Sequence, residues 1–194
     1  MYRALIATLA LTVSVGAGTA AAQTLSGHVT AGKGNSVVYV NAIPGKSFPA
    51  PAKHLVMDQK GLMFQPHLLV VLAGSTVDFL NSDKVQHNIF WPAVNGNKKM
   101  SHNMGTWPTG EIRSFKYDQP GVVPLLCNVH PEMSGYIIVS PTPYFAETDE
   151  SGAYKIENLP PGQYTVTAWH EGMKIESKPV TVSGNATLDF SLHK

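Results

Sequence analysis

The run Cys127-Asn128-Val129-His130-Pro131-Glu132-Met133 places a thiol, an imidazole and a thioether within one short segment. A second imidazole must come from elsewhere. His87, in Asn81-Ser82-Asp83-Lys84-Val85-Gln86-His87-Asn88-Ile89-Phe90, is the candidate. These side chains suit a metal that alternates between Cu(I) and Cu(II). Sulfur serves the reduced state, and imidazole nitrogen is acceptable to both. Two His and one Cys in a trigonal arrangement, with a weak axial Met, meet that need. Pro131 restricts its own φ and the backbone of His130, which reduces the entropy lost when both ligands converge on one ion.

Cys127 is the only cysteine of the chain, so it cannot form an internal disulfide. It is a buried spectator, an intermolecular link or a metal ligand. Structural zinc usually takes four Cys or His ligands and rarely a thioether. A Cys–His nucleophile would need oxyanion and specificity elements, and none is evident. The eight histidines form no His-x-His cluster of the kind a multicopper enzyme needs, so the sequence is read as non-enzymatic.

The elements that must position these ligands read as all-β. Short β-branched and aromatic runs are broken by turn signals, with 17 glycines and 14 prolines to supply them. Predicted strands are 24–29, 37–40, 68–72, 76–80, 87–90, 112–115, 121–126, 136–139, 154–156, 164–169, 180–182 and 187–190. The N-terminus reads as a signal peptide over residues 1–22. Arg3 begins it, an apolar stretch follows at 4–15, and Ala20-Ala21-Ala22 offers a cleavage site before Gln23. That stretch is too short to span a bilayer, which takes about 20 apolar residues. The expected location is therefore the periplasm, with no membrane span in the mature chain. Removal of the segment takes away only Arg3 among the charges, and the remainder is balanced in sign. Nucleic acid and anionic membrane surfaces, which call for a basic excess, are not expected partners.

Two proline-rich breaks, Phe48-Pro49-Ala50-Pro51-Ala52 and Pro141-Thr142-Pro143, bracket the block with all the candidate ligands. That block resembles a cupredoxin such as plastocyanin, pseudoazurin or amicyanin. The resemblance is carried by Cys-x-x-His-x-x-Met, by Gly74-Ser75-Thr76-Val77-Asp78-Phe79-Leu80-Asn81-Ser82-Asp83 ahead of His87-Asn88, and by Pro120-Gly121-Val122 before the cysteine strand. The short ligand loop is similar to that of amicyanin-like members. The resemblance implies a Greek-key β-sandwich and one copper ion. His87, Cys127 and His130 would be its equatorial ligands and Met133 its axial ligand. It further implies an Asn88 N–H near the Cys127 sulfur, an exposed His130 edge for electron transfer, and a redox protein as partner. Phe90 and Trp91 would shield the metal from water.

The C-terminal pattern resembles a carboxypeptidase regulatory-like (transthyretin-like) sandwich. It is carried by Thr148-Asp149-Glu150-Ser151-Gly152-Ala153-Tyr154-Lys155-Ile156 and Leu159-Pro160-Pro161-Gly162-Gln163-Tyr164-Thr165-Val166. The opening strands of such a domain are found far upstream, in Leu25-Ser26-Gly27-His28-Val29 and Ser36-Val37-Val38-Tyr39-Val40. We therefore read 23–50 with 146–194 as one small sandwich into which the copper block, 51–140, is inserted. The competing arrangement is two consecutive domains with an N-terminal extension.

The leading functional expectation is a periplasmic one-electron carrier with a single copper. One alternative is a copper chaperone or storage protein using Met100, His102 and Met104 in a polar loop as a second Cu(I) site. The other is a non-redox interaction module. His67 is expected to be a hydrogen-bonded structural histidine, and Trp169-His170-Glu171 to pack at a domain interface.

Overall fold

The computed structural model describes residues 23–194; the proposed signal peptide lies outside them. The N-terminal strands are β1 (Gln23–Thr30) and β2 (Val37–Val40). The next block contains β3 (Leu55–Gln59), β4 (Phe64–Gln65), β5 (Leu68–Leu72), β6 (Ser75–Asn81), β7 (His87–Trp91), β8 (His102–Trp107), β9 (Arg113–Tyr117), β10 (Gly121–Leu126) and β11 (Ser134–Ser140). The last strands are β12 (Phe145–Glu147), β13 (Ala153–Leu159), β14 (Gly162–Trp169), β15 (Glu176–Val182), β16 (Ala186–Thr187) and β17 (Phe190–Ser191). The expected all-β class holds. Among the described residues no helix is long and apolar enough to cross a membrane.

The ligand-bearing block is a sandwich of two sheets, ordered β4-β3-β6-β9 and β5-β11-β10-β7-β8. Strict alternation builds its core. Inward positions of β6 are Ser75, Val77, Phe79 and Asn81; those of β10 are Gly121, Val123 and Leu125. Side chains of a strand alternate between faces, so the next inward position after Leu125 is Cys127. It lies in the same apolar cluster as Met57, Phe79, Ile89, Trp107, Leu125 and Met133. Antiparallel pairing of β10 with β7, through Leu126 and Phe90, sets the end of β10 against β7, so that the chain beyond it runs toward His87.

A second pair of sheets joins chain segments far apart in sequence. In one, β1 lies between β13 and β16, with β17 also on β1; in the other the order is β12-β2-β14-β15. Leu25, Val38, Val40, Tyr154, Ile156, Val166 and Phe190 share its core. Strands from 23–40 pair here with strands from 145–191. Gly27 makes this pairing sterically feasible, since a Cβ there would meet the Leu188 carbonyl oxygen at 2.0 Å. Leu188 donates its N–H to Ser26, and the Asp189 carboxylate accepts from His28 N–H.

The two sandwiches meet across a small apolar seam of Val37, Val70, Ile138 and Trp169, flanked by Tyr39, Leu68 and Tyr136. His67 and Glu171 bridge it at 2.8 Å.

Several strands depart from the expected set. Residues 98–107 form a short 3₁₀ turn (Lys98–Met100) and the edge strand β8, not a loop. Its sequence, His102-Asn103-Met104-Gly105-Thr106-Trp107, has few β-branched residues. Pairing with β7 supplies what propensity lacks. Strands β3, β4 and β12 were also absent from the sequence pattern. The run expected at 187–190 divides into β16 and β17, because Leu188 and Asp189 turn their polar groups onto β1.

Leu25 tests the long-range pairing. Leu25→Ala should destabilise the second sandwich by about 2–5 kcal/mol, measured by urea denaturation, and leave copper binding by residues 51–140 intact.

Candidate metal centre

The side chains of His87, Cys127 and His130 converge. Their ligand atoms all lie within 4.8 Å of one another, and this is the group of three or more His, Cys, Asp or Glu found among the described residues with metal-holding geometry. His87 opens β7, Cys127 follows β10 directly, and His130 lies on the loop to β11. His130 accepts at its carbonyl from Met133 N–H at 3.0 Å, which tightens that loop into a turn.

The two imidazoles present Nδ1 to Nδ1 at 3.0 Å, with ring centroids 4.7 Å apart. Nitrogens at this distance are joined by a proton carried on one of them or, where both present lone pairs, by a shared cation. The Asn88 N–H donates to Cys127 Sγ at 3.4 Å, the contact the family resemblance implied. Such a donor stabilises a thiolate and tunes a bound metal. His87 is fully buried and Cys127 nearly so, whereas His130 is half-buried. One ligand edge therefore reaches toward solvent.

Met133 is buried within the same apolar cluster as Cys127, at the end of the ligand loop. Trp91 is also in this cluster but stacks in a separate aromatic group with His102, Phe115 and Tyr117. Phe90 is only half-buried.

Sequence reasoning missed the roles of two side chains. The Asn88 side chain accepts from Asn128 N–H at 3.3 Å and donates to Asn103 at 2.9 Å. It ties the ligand loop to the edge strand. Asp83 meets His87 Nε2 at 2.9 Å and also accepts from the N–H groups of Gly61 and Leu62. Burial pushes the Asp83 carboxyl up, but these donors from Leu62, Gly61 and His87 outweigh it and hold it below its ordinary value. An acidic residue four positions before the candidate histidine was the available signal.

The remaining candidates have other contacts. His102 lies against the rings of Trp91 and Phe115, at 5.0 and 4.8 Å. Met100 and Met104 pack against the core. His67 is hydrogen-bonded to Glu171 and Trp169 packs on Tyr136 at the seam, as expected for both.

One buried thiol and two facing imidazoles form a donor set that fits copper, and the buried Met133 thioether belongs to the same apolar cluster as the thiol. Residues 51–140 match the family of copper binding proteins, plastocyanin/azurin family. The chain carries a plastocyanin/azurin-type copper-binding domain. Residues 136–193 match the carboxypeptidase regulatory-like domain, beginning inside β11 of the copper-binding domain. Among solved structures, a reduced mutant amicyanin is 21% identical, covering 46% of this chain and 85% of that one, with a TM-score of 0.42. A purple cupredoxin from Nitrosopumilus maritimus is 26% identical, covering 44% and 99%, with a TM-score of 0.40. A Cu-containing nitrite reductase from Thermus scotoductus SA-01 is 23% identical over 53% of this chain but only 25% of its own, with a TM-score of 0.44.

Cys127→Ser should abolish the intense visible absorption of the copper-loaded domain while leaving its far-ultraviolet circular dichroism unchanged. Retention of that absorption would remove Cys127 from the ligand set.

Proposed function

We propose that this chain is a blue copper protein that carries single electrons between redox partners and catalyses no reaction of its own. The observation that carries the reading is the pair of Nδ1 atoms 3.0 Å apart beside a thiol that already accepts an N–H. When bound, copper would supply a Cu(I)/Cu(II) couple. Everything else is the work of the chain. His87 and His130 would offer nitrogen, Cys127 an anionic sulfur, and Met133 a further, weaker sulfur. Strand β7, the end of β10 and the tightened loop to β11 hold the first three in place, so the ligands need little rearrangement when charge changes.

Electron exchange needs one ligand near the surface and a face that partners touch briefly. The half-buried His130 supplies the edge. Leu62 (whose N–H donates to Asp83), Val85 (two residues before His87) and Val129 (next to His130) are all more than 40% exposed. Exposed apolar side chains of this kind suit transient redox encounters, which tend to bury less than about 1,200 Å². Export to the periplasm belongs to the same proposal and rests on the character of residues 1–22. The copper-handling alternative relied on Met100, His102 and Met104, whose side chains are engaged in packing and ring contacts.

The test is redox titration of the copper-loaded protein, followed by its thiolate-to-copper band. A reversible one-electron transition is expected. Met133→Gln should keep copper and lower the potential by at least about 59 mV, the equivalent of a tenfold change in relative affinity. An unaltered potential would argue against axial ligation by Met133, and an irreversible transition would argue against electron carriage.

A further inference from the structure

We infer that Asp83 is a positioning residue of the copper site, fixing the tautomer of His87 and biasing the site toward the oxidised ion. The inference rests on the copper reading above. The two ring nitrogens of His87 have different neighbours: Nδ1 faces His130 Nδ1 at 3.0 Å, and Nε2 faces the Asp83 carboxylate at 2.9 Å. An ionised carboxylate only accepts. The proton of a neutral His87 ring therefore resides on Nε2, and the Nδ1 lone pair is left for the metal. The side chain of His87 has no solvent exposure, so water cannot replace Asp83 in this role.

The carboxylate is itself immobilised. Its Oδ1 accepts from Gly61 N–H at 2.7 Å and its Oδ2 from Leu62 N–H at 3.0 Å. Its backbone N–H donates to Asn81 at 3.0 Å, and its carbonyl accepts from the Thr109 hydroxyl. The 61–62 turn thus holds the acidic side chain, and Asn81 and Thr109 hold its backbone, behind one ligand. A negative charge there raises the basicity of the imidazole and favours Cu(II) over Cu(I).

Asparagine cannot reproduce this. With its oxygen toward His87 its amide group meets the Gly61 N–H, donor against donor. With its amide toward His87 it selects the tautomer protonated on Nδ1, which has no lone pair for a metal. Both orientations lose the charge.

The experiment compares full-length wild type, Asp83→Asn and Thr109→Val, each loaded with one equivalent of copper. Affinities are read by chelator competition and potentials by redox titration. Asp83→Asn should lose about 10- to 100-fold in Cu(II) affinity. It should lose less Cu(I) affinity, and its potential should rise by about 59 mV for each tenfold difference. Thr109→Val loosens the same turn without touching the carboxylate and should keep the wild-type potential. Wild-type values in Asp83→Asn, or an equal shift in Thr109→Val, would overturn the inference. Nitrogen NMR of wild-type Cu(I) protein decides the matter even if Asp83→Asn does not fold. A slowly exchanging proton on His87 Nε2 is expected, and one on Nδ1 would overturn it. A wild-type protein without a thiolate band would instead overturn the copper reading itself.

Discussion

Two imidazole nitrogens held 3.0 Å apart beside a thiol are the constraint around which this half of the molecule is organised. Three donors from separate parts of a chain do not stay together unless the backbone keeps them there. Here the backbone is β7 against β10, whose antiparallel register carries the chain that follows β10 back along β7 toward His87. The inward phase of β10 then decides which way the sulfur points. A shift of one residue in that register would send the Cys127 side chain to the opposite face of the sheet.

Polar contacts complete what the strands begin. Asn88 contributes its backbone N–H to the sulfur and its side chain to the loops on either side. Asp83 gathers two N–H groups of one turn and one ligand ring onto a single carboxylate. These residues flank His87 and Cys127, and they convert a set of nearby donors into a set with fixed directions.

The ligand types and the alternating strands were legible because each depends on short-range pattern. Cys127, His130 and Met133 lie within one loop, and β6 and β10 alternate cleanly enough to show their inward faces. What escaped was governed by distance in the chain or by neighbours. Strand β8 is a strand because β7 offers it an edge, and nothing in His102-Asn103-Met104 announces that. Asp83 was quoted only as part of the run ahead of His87, since a carboxylate's role depends on which nitrogen it faces. The pairing of β1 with β13, β16 and β17 was anticipated only through a resemblance. The local sequence of β1 names no partner, and the division into two sandwiches rests on long-range hydrogen bonds.

The central claim concerns which atoms bind one ion, and X-ray absorption at the copper edge of the protein loaded with a single equivalent reads that directly. The account predicts a short copper–sulfur bond together with two imidazole nitrogens, in a coordination shell little altered between the oxidised and reduced states. A first shell of nitrogen and oxygen alone, with no short sulfur contact, would contradict it.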